Sequence, residues 1–379
     1  MRTTIRAAAG LALLTASLPA MAATAVQTRA WQYKSDAAAG LQVRNLIGDI
    51  RVERGTEPGF HITATATIEA ATQDQADALA RAIDYRTRDV GAGSRFEVAF
   101  PKEQFPKLYY ARGPDSWWSV MYVSYLGERI RMTGDRDEAP AVRVDLLIRA
   151  PAGAKLAVKN LFGESTAQGF SGELSLDGSS SPLRSAGGEG RLELDTGSGD
   201  VEVSGHKGRV SADTGSGDVR ISDCECEIEA DTGSGSVEVR GGSGVLRADT
   251  GSGGISVDGF SGGISADTGS GDVQARGVSN VTELSADTGS GSVSVDGDLS
   301  ALKRLHVDTG SGSVRLQSTA APSMEITIDT GSGHVDVTAP GAIVRQSRDG
   351  VWTVRMHDGA GSGVIDTGSG GVDLVVSAN

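Results

Sequence analysis

The chain has 379 residues, of which 53 are Gly and only 7 Phe, 6 Tyr and 4 Trp, with 49 acidic groups against 35 basic. So few rings exclude an aromatic-filled core, while Gly and Pro together stay below the share that marks low-complexity disorder, so the chain is expected to fold on small side chains. A net charge of −14 argues against nucleic acid as a partner, because neutralising phosphates needs clustered Lys and Arg.

Residues 1–22 read as a signal peptide. Arg2 and Arg6 give the positive start, Ala7 to Leu18 the apolar stretch, and Ala20-Met21-Ala22 the small-x-small cleavage site. Export is expected, to the periplasm, the cell surface or the medium. No later stretch approaches the roughly 20 apolar residues of a spanning helix, so no transmembrane segment is expected after cleavage. Residues 23–140 read as a β-rich capping module. Leu41 to Val52 looks like an opening rung with Phe60 to Ile68 as its partner strand, and Thr72-Gln73-Asp74-Gln75 is a capping box that opens one short helix through about Ile83. Strands near Tyr85 to Val90 and Ser94 to Phe100 follow. Residues 101–140 interrupt this module with an aromatic-rich insertion. Its Trp117, Trp118, Tyr122 and Tyr125 have two readings: packing against the rest of the protein, or contact with a sugar chain, a partner protein or a membrane surface.

From residue 141 to 379 the chain is a repeat. Asp-Thr-Gly-Ser-Gly begins at Asp195, Asp213, Asp231, Asp249, Asp267, Asp287, Asp308, Asp329 and Asp366; the first four intervals are 18 residues, then 20, 21, 21 and 37, the last leaving room for a degenerate turn near Asp349-Gly350. Within one period Val201-Glu202-Val203 alternates, glycines break the pattern, and Val210-Ser211-Ala212 alternates again, so each period is two short strands and two turns. Val201, Val203, Val210 and Ala212, with their equivalents in later periods, form the expected core columns. Burying three such side chains gains roughly 5–8 kcal/mol, whereas fixing the backbone costs about 1 kcal/mol or more per residue, so no period folds alone. Like must stack on like. The fold class expected is all-β: a parallel β-solenoid of about twelve rungs, with the N-terminal module capping an end that would otherwise expose strand edges. Charge divides with it: from Leu161 onward there are 32 acidic and 14 basic residues, and before it 17 and 21.

The early Val-x-Asn-x-x-Gly-x-Ile-x-Val strand, the Pro-x-Gly-x-x-Leu-x-Val run at Pro151 to Val158 and the successive Thr-Gly-Ser-Gly-x-Val turns resemble the bacterial putative-adhesin family of exported β-strand-repeat domains. The resemblance covers nearly all of the mature chain outside residues 101–140. It implies a β-solenoid-like exported protein and brings no catalytic residues to transfer.

The repeated pentapeptide carries several chemical readings. Asp-Thr-Gly-Ser is also the signature of aspartic proteases, but these need two copies facing one cleft, and nine copies one rung apart do not make that. The structural reading has each Asp accepting hydrogen bonds from the turn that follows, with the glycines at positive φ. A column of Asp, with Asp200, Asp218 and Asp272 nearby, could instead hold Ca²⁺. Thr196 and Ser198, repeated each rung, also suggest an ice-binding ladder, but Gly on both sides of each Ser points to a curved turn and not the flat strand such a ladder needs. Cys224 and Cys226, the only thiols, would form a disulfide in an exported protein, or, with His206 one rung away, a soft-metal site for Zn or Cu. No nucleophile is paired with a base, and the five His are scattered. The reading is therefore a non-enzymatic adhesin-like or envelope scaffold protein whose partners would be an envelope protein or a polysaccharide, with no cofactor. The alternatives are a polysaccharide-acting enzyme on a β-helix, by fold analogy alone, and a Ca²⁺-stabilised repeat protein.

Overall fold

The computed structural model describes residues 23–33, 37–91, 93–109, 121–135 and 139–377; the signal peptide, Trp117 and Trp118 lie outside them. The described residues form 31 strands, one α-helix at Gln73–Ala82 and a single 3₁₀ turn at Ala37–Ala39. They fall into two compact units, one holding residues 23–27, 67–82, 101–109, 121–135 and 139–142, the other residues 28–33, 37–66, 83–91, 93–100 and 143–377.

In the smaller unit the helix starts as its capping residue dictates, with the Thr72 hydroxyl accepting from the Gln75 N–H at 3.3 Å. Ala76, Leu79 and Ala80 form its buried face. The aromatic-rich segment supplies an antiparallel pair, Met121–Tyr125 with Glu128–Thr133, and Lys107–Tyr109 runs parallel to the second of these strands.

The larger unit is the solenoid. Val201, Val219, Val237, Ile255, Val273 and Val293 occupy one continuous in-register parallel ladder, and Val210, Ile228, Leu246, Ile264, Leu284 and Leu305 another. All are buried, as the period-2 alternation requires. The expected opening rung joins the same stack: Leu41–Ile47 pairs with Ala154–Phe162, and Ile50–Arg54 with Ser165–Gly178. Asn45 and Asn160, fully buried at this end, bond to each other at 3.3 Å and to the Val144 and Gly48 carbonyls, so their amides are satisfied inside the stack.

The far end departs from a simple stack. The repeat of Asp329 does not lie against that of Asp308. Strands Gly361–Thr367 and Val372–Val376 are inserted between them, pairing in parallel with Arg304–Thr309 and Val314–Ser318 on one side and with Met324–Thr330 and Val335–Thr338 on the other. Gly363 sits opposite both Leu305 and Ile326, and a Cβ there would meet their side chains at 3.2 and 3.1 Å, so the glycine admits the strand between two bulky neighbours. The segment expected to form a degenerate turn near Asp349-Gly350 is an antiparallel hairpin instead. Trp352–Met356 pairs with Met324–Thr330 and with Ile343–Gln346, and Gly350 takes φ +90° in the turn between them.

Candidate functional site

The repeat turns are organised by their Thr, not by their Asp, except that of Asp329, where the Thr330 hydroxyl donates to the Gly333 carbonyl of its own turn. Alternation points Ala230 inward, Asp231 outward and Thr232 inward. The Thr232 hydroxyl donates to the Gly217 carbonyl of the preceding rung at 2.8 Å and accepts from the Gly235 N–H of its own turn at 3.1 Å. The same pair of bonds recurs at Thr214, Thr250, Thr268, Thr288, Thr309 and Thr367, all about 1% exposed or less. This corrects the Asx-turn expectation, and burial of the Thr hydroxyls takes the Thr half out of any ice-binding ladder, leaving only the exposed Ser198 and its equivalents. The glycines of the pentapeptide do not take positive φ either. They are required because rungs stack backbone on backbone: a Cβ on Gly217 would lie 2.0 Å from the Gly199 carbonyl oxygen, and one on Gly235 at 1.8 Å from that of Gly217. Positive φ belongs to the opposite turn, at Gly187, Gly205, Gly241 and Gly259.

The Asp of each pentapeptide therefore stands outside, one carboxylate per rung at roughly 4.8 Å. Partial burial first, then the neighbouring Asp charges, push Asp213, Asp231 and Asp267 above the ordinary carboxylate range. Among the described residues no group of three His, Cys, Asp or Glu side chains converges as a metal ion needs. The Asp after each turn behaves differently: Asp200, Asp218 and Asp272 accept the next rung's backbone N–H, from Asp218, Ser236 and Ser292, at 3.1, 2.9 and 2.8 Å.

That second row borders a trough on one face of the solenoid, with a cavity volume of about 680 Å³. One wall is a column of residues on six successive strands: Arg51, Thr166, Arg184, Glu202, Arg220 and Glu238. Arg184 bridges Glu164 and Glu202, the latter at 2.9 Å, and Arg220 reaches Asp218, Asp200 and Glu238 at 2.6, 3.3 and 3.9 Å. The floor beside it is small, made by Ala186, Ser204 and Ser222, and Gln168 and Arg240 stand at its ends. The sequence reading missed this trough. Its signal was there in part, since Arg184, Glu202, Arg220 and Glu238 recur every 18 residues with alternating sign. Arg51 belongs to the column only because a strand far earlier in the chain stacks against it.

Cys224 and Cys226 are joined in a disulfide at the opposite turn. Cys226 occupies a column otherwise held by Gly190, Gly208, Gly244 and Gly262. His206 is 4% exposed and directly precedes Lys207, which pairs with Glu225 between the two cysteines, so the three predicted residues lie on adjacent rungs. They are not a thiolate set, because each sulfur is committed to the other. The His206 Nε2–H donates to the Gly190 carbonyl at 3.1 Å, Nδ1 has no partner, and burial lowers the imidazole's pKa. The corner as it stands is a neutral imidazole beside a disulfide, and a soft ion would find ligands there only after reduction.

Of the four aromatics assigned to partner contact, two are described. Tyr122 is 54% exposed with the Arg129 guanidinium 4.4 Å over its ring, whereas Tyr125 is buried. Among the described residues no helix is long and apolar enough to cross a membrane.

Comparison with known proteins follows the repeat. No curated protein matches the chain. Among solved structures it is similar to a putative cell adhesion protein from Clostridium sporogenes, at 10% identity over 93% of this chain and 100% of that one, with a TM-score of 0.23. Two putative adhesins, from Parabacteroides merdae and Parabacteroides distasonis, match at 13% and 11% identity. They cover 71% and 70% of this chain and 95% and 96% of their own, with TM-scores of 0.38 and 0.28. The family model described as Toastrack DUF4097 matches residues 155–259 and 245–379, which together cover more than half of the chain and every Asp-Thr-Gly-Ser-Gly turn, and the chain belongs to that family.

Proposed function

We propose that this is an exported, non-enzymatic binding protein of the cell envelope, adhesin-like or a scaffold, that presents the faces of its solenoid to an envelope polymer or protein. The observation that carries the reading is the uniformity of those faces. Groups stand in register along the axis and like groups return on alternate rungs, as at Arg184, Glu202, Arg220 and Glu238, which suits an extended partner better than a small substrate held at one point. Catalysis asks for a nucleophile, a base and an orienting group at one place. The titratable rows here instead repeat along the axis. Export is supported by the charged, apolar and small-residue order of residues 1–22 and by the Cys224–Cys226 disulfide, a bond of oxidising compartments. The test combines cell fractionation, the mass of the N-terminal peptide and a pulldown of envelope fractions by the purified protein. A product that keeps residues 1–22 in the cytoplasm refutes export, and a pulldown that retains nothing refutes the binding role.

A further inference from the structure

The trough beside Arg184 and Arg220 has the dimensions and polarity of a site for a linear sugar chain. Its charged wall crosses six strands, five strand spacings or about 24 Å, and its floor is clear over the middle three rungs. Its 680 Å³ lies well inside the range of pockets that hold organic ligands. The floor is cleared of bulk at three successive rungs by Ala186, Ser204 and Ser222, then closed where Arg240 replaces the small residue. A thinner floor beside a tall charged wall is a channel running along the solenoid axis, across the strands.

Three properties select the occupant. The wall alternates donor and acceptor, Arg184, Glu202, Arg220, Glu238, so any chemical group recurs every second rung, about 9.6 Å apart. In a straight β-1,4-linked glycan each pyranose advances the chain by about one rung and is flipped by half a turn from its neighbour, so the same ring edge also returns every second unit. An extended peptide advances about 3.4 Å per residue and would fall out of step at once; it seeks strand edges, whereas this is a sheet face. Finally, the charges nearly cancel. Arg51, Arg184, Arg220 and Arg240 are balanced by Glu202 and Glu238 in the lining and by Glu164, Asp200 and Asp218 beside it. A polyanion or polycation gains nothing there. Guanidinium and carboxylate forks held in place by one another are, however, well suited to hydroxyl and amide groups.

We propose that this trough binds a neutral, straight, β-linked glycan, one sugar per rung, lying along the solenoid axis. This rests on the reading of the protein as an envelope-binding solenoid and names its ligand class. With no aromatic ring in the lining, a single trough binds weakly, and useful strength comes from many copies along one polymer.

The experiment titrates the full mature protein with cellotetraose and with the N-acetylglucosamine tetramer, alongside their dimers, by calorimetry and saturation-transfer NMR. Maltotetraose, whose α-linkages curve the chain, and an acidic hyaluronan tetramer serve as comparisons. Affinity is expected to rise from dimer to tetramer for a β-linked neutral oligomer and to be absent for maltotetraose. Ser204→Arg and Ser222→Arg, which refill the floor, are each expected to weaken binding at least about tenfold, or about 1.4 kcal/mol, with an unchanged melting temperature. The same change at Ser265, on another ladder, is expected to leave binding intact. Binding that survives both floor variants, equal binding of maltotetraose, preference for the acidic oligomer, or no binding at millimolar concentration overturns the proposal. If the oligomers fail while the envelope pulldown succeeds, the glycan assignment falls and the envelope-binding reading stands; if the pulldown fails as well, both fall.

Discussion

Replacing Thr232 by Val tests what holds the solenoid turns. Val keeps the shape of Thr and removes only the hydroxyl. The structure shows that hydroxyl giving a 2.8 Å bond to the Gly217 carbonyl and taking a 3.1 Å bond from the Gly235 N–H, in a site 1% exposed to solvent. Each bond is worth about 1 kcal/mol net, and a buried backbone group left without a partner costs about 1–3 kcal/mol, so Thr232→Val should cost about 2–4 kcal/mol. Thr232→Ser keeps both bonds and loses one methyl, about 0.8 kcal/mol. Since repeat arrays can open locally, the assay is native-state hydrogen exchange at the Gly235 amide and at the Gly251 amide, which donates to the Thr232 carbonyl, backed by urea unfolding. The Gly235 amide should lose protection in the Val variant and keep it in the Ser variant. If Val and Ser variants agree within about 0.5 kcal/mol, the hydroxyl ladder is not what secures the turn.

Gly217→Ala should disrupt folding of its rung, because the new Cβ would strike the Gly199 carbonyl oxygen; Gly187→Ala, at φ +63° with open space around it, should cost only about 1 kcal/mol by circular dichroism melting. Removing the disulfide with Cys224→Ser and Cys226→Ser together should cost about 1.5 kcal/mol, because so short a loop restricts the unfolded chain little, and a drop above about 4 kcal/mol would refute that view. The row of outward Asp makes stability depend on pH. With the pKa values of Asp213, Asp231 and Asp267 raised in the folded state, the native protein binds protons more tightly than the unfolded chain. Their penalty is present at neutral pH and disappears as pH falls through the raised values toward the ordinary carboxylate range. Asp231→Asn should therefore raise the melting temperature at pH 7 and make no difference in acid, and added salt should narrow the gap at neutral pH.

Much of this was legible because the period repeats. The columns through Val201, Val203, Val210 and Ala212 are buried as alternation predicts, and alternation carried on for two more residues would also have placed Asp213 outside and Thr214 inside. The Asx-turn expectation overrode that pattern by treating the pentapeptide as a local turn, when its glycines answer to the rung below. Contacts between rungs have no signature inside one rung. The spacing of Cys224 and Cys226 left pairing and metal binding open, and the structure forms the disulfide. The trough was half visible in Arg184 and its successors and completed only by Arg51. The inserted rung was not legible at all, because Asp329 and Asp366 announce the same pentapeptide and nothing in it states which neighbour each will take.

That insertion makes the pairing of two neighbouring rungs depend on one later segment. Until residues 361–376 are in place, the strands at Arg304–Thr309 and Met324–Thr330 face each other across a gap one strand wide, about 9.6 Å, with their facing backbone groups unpaired. Removing the rung that comes last in sequence would not give a shorter solenoid; it would open an interior slot on both ladders at once. A change in this rung therefore meets two neighbours that do not follow each other directly in the stack, Arg304–Thr309 on one side and Met324–Thr330 on the other.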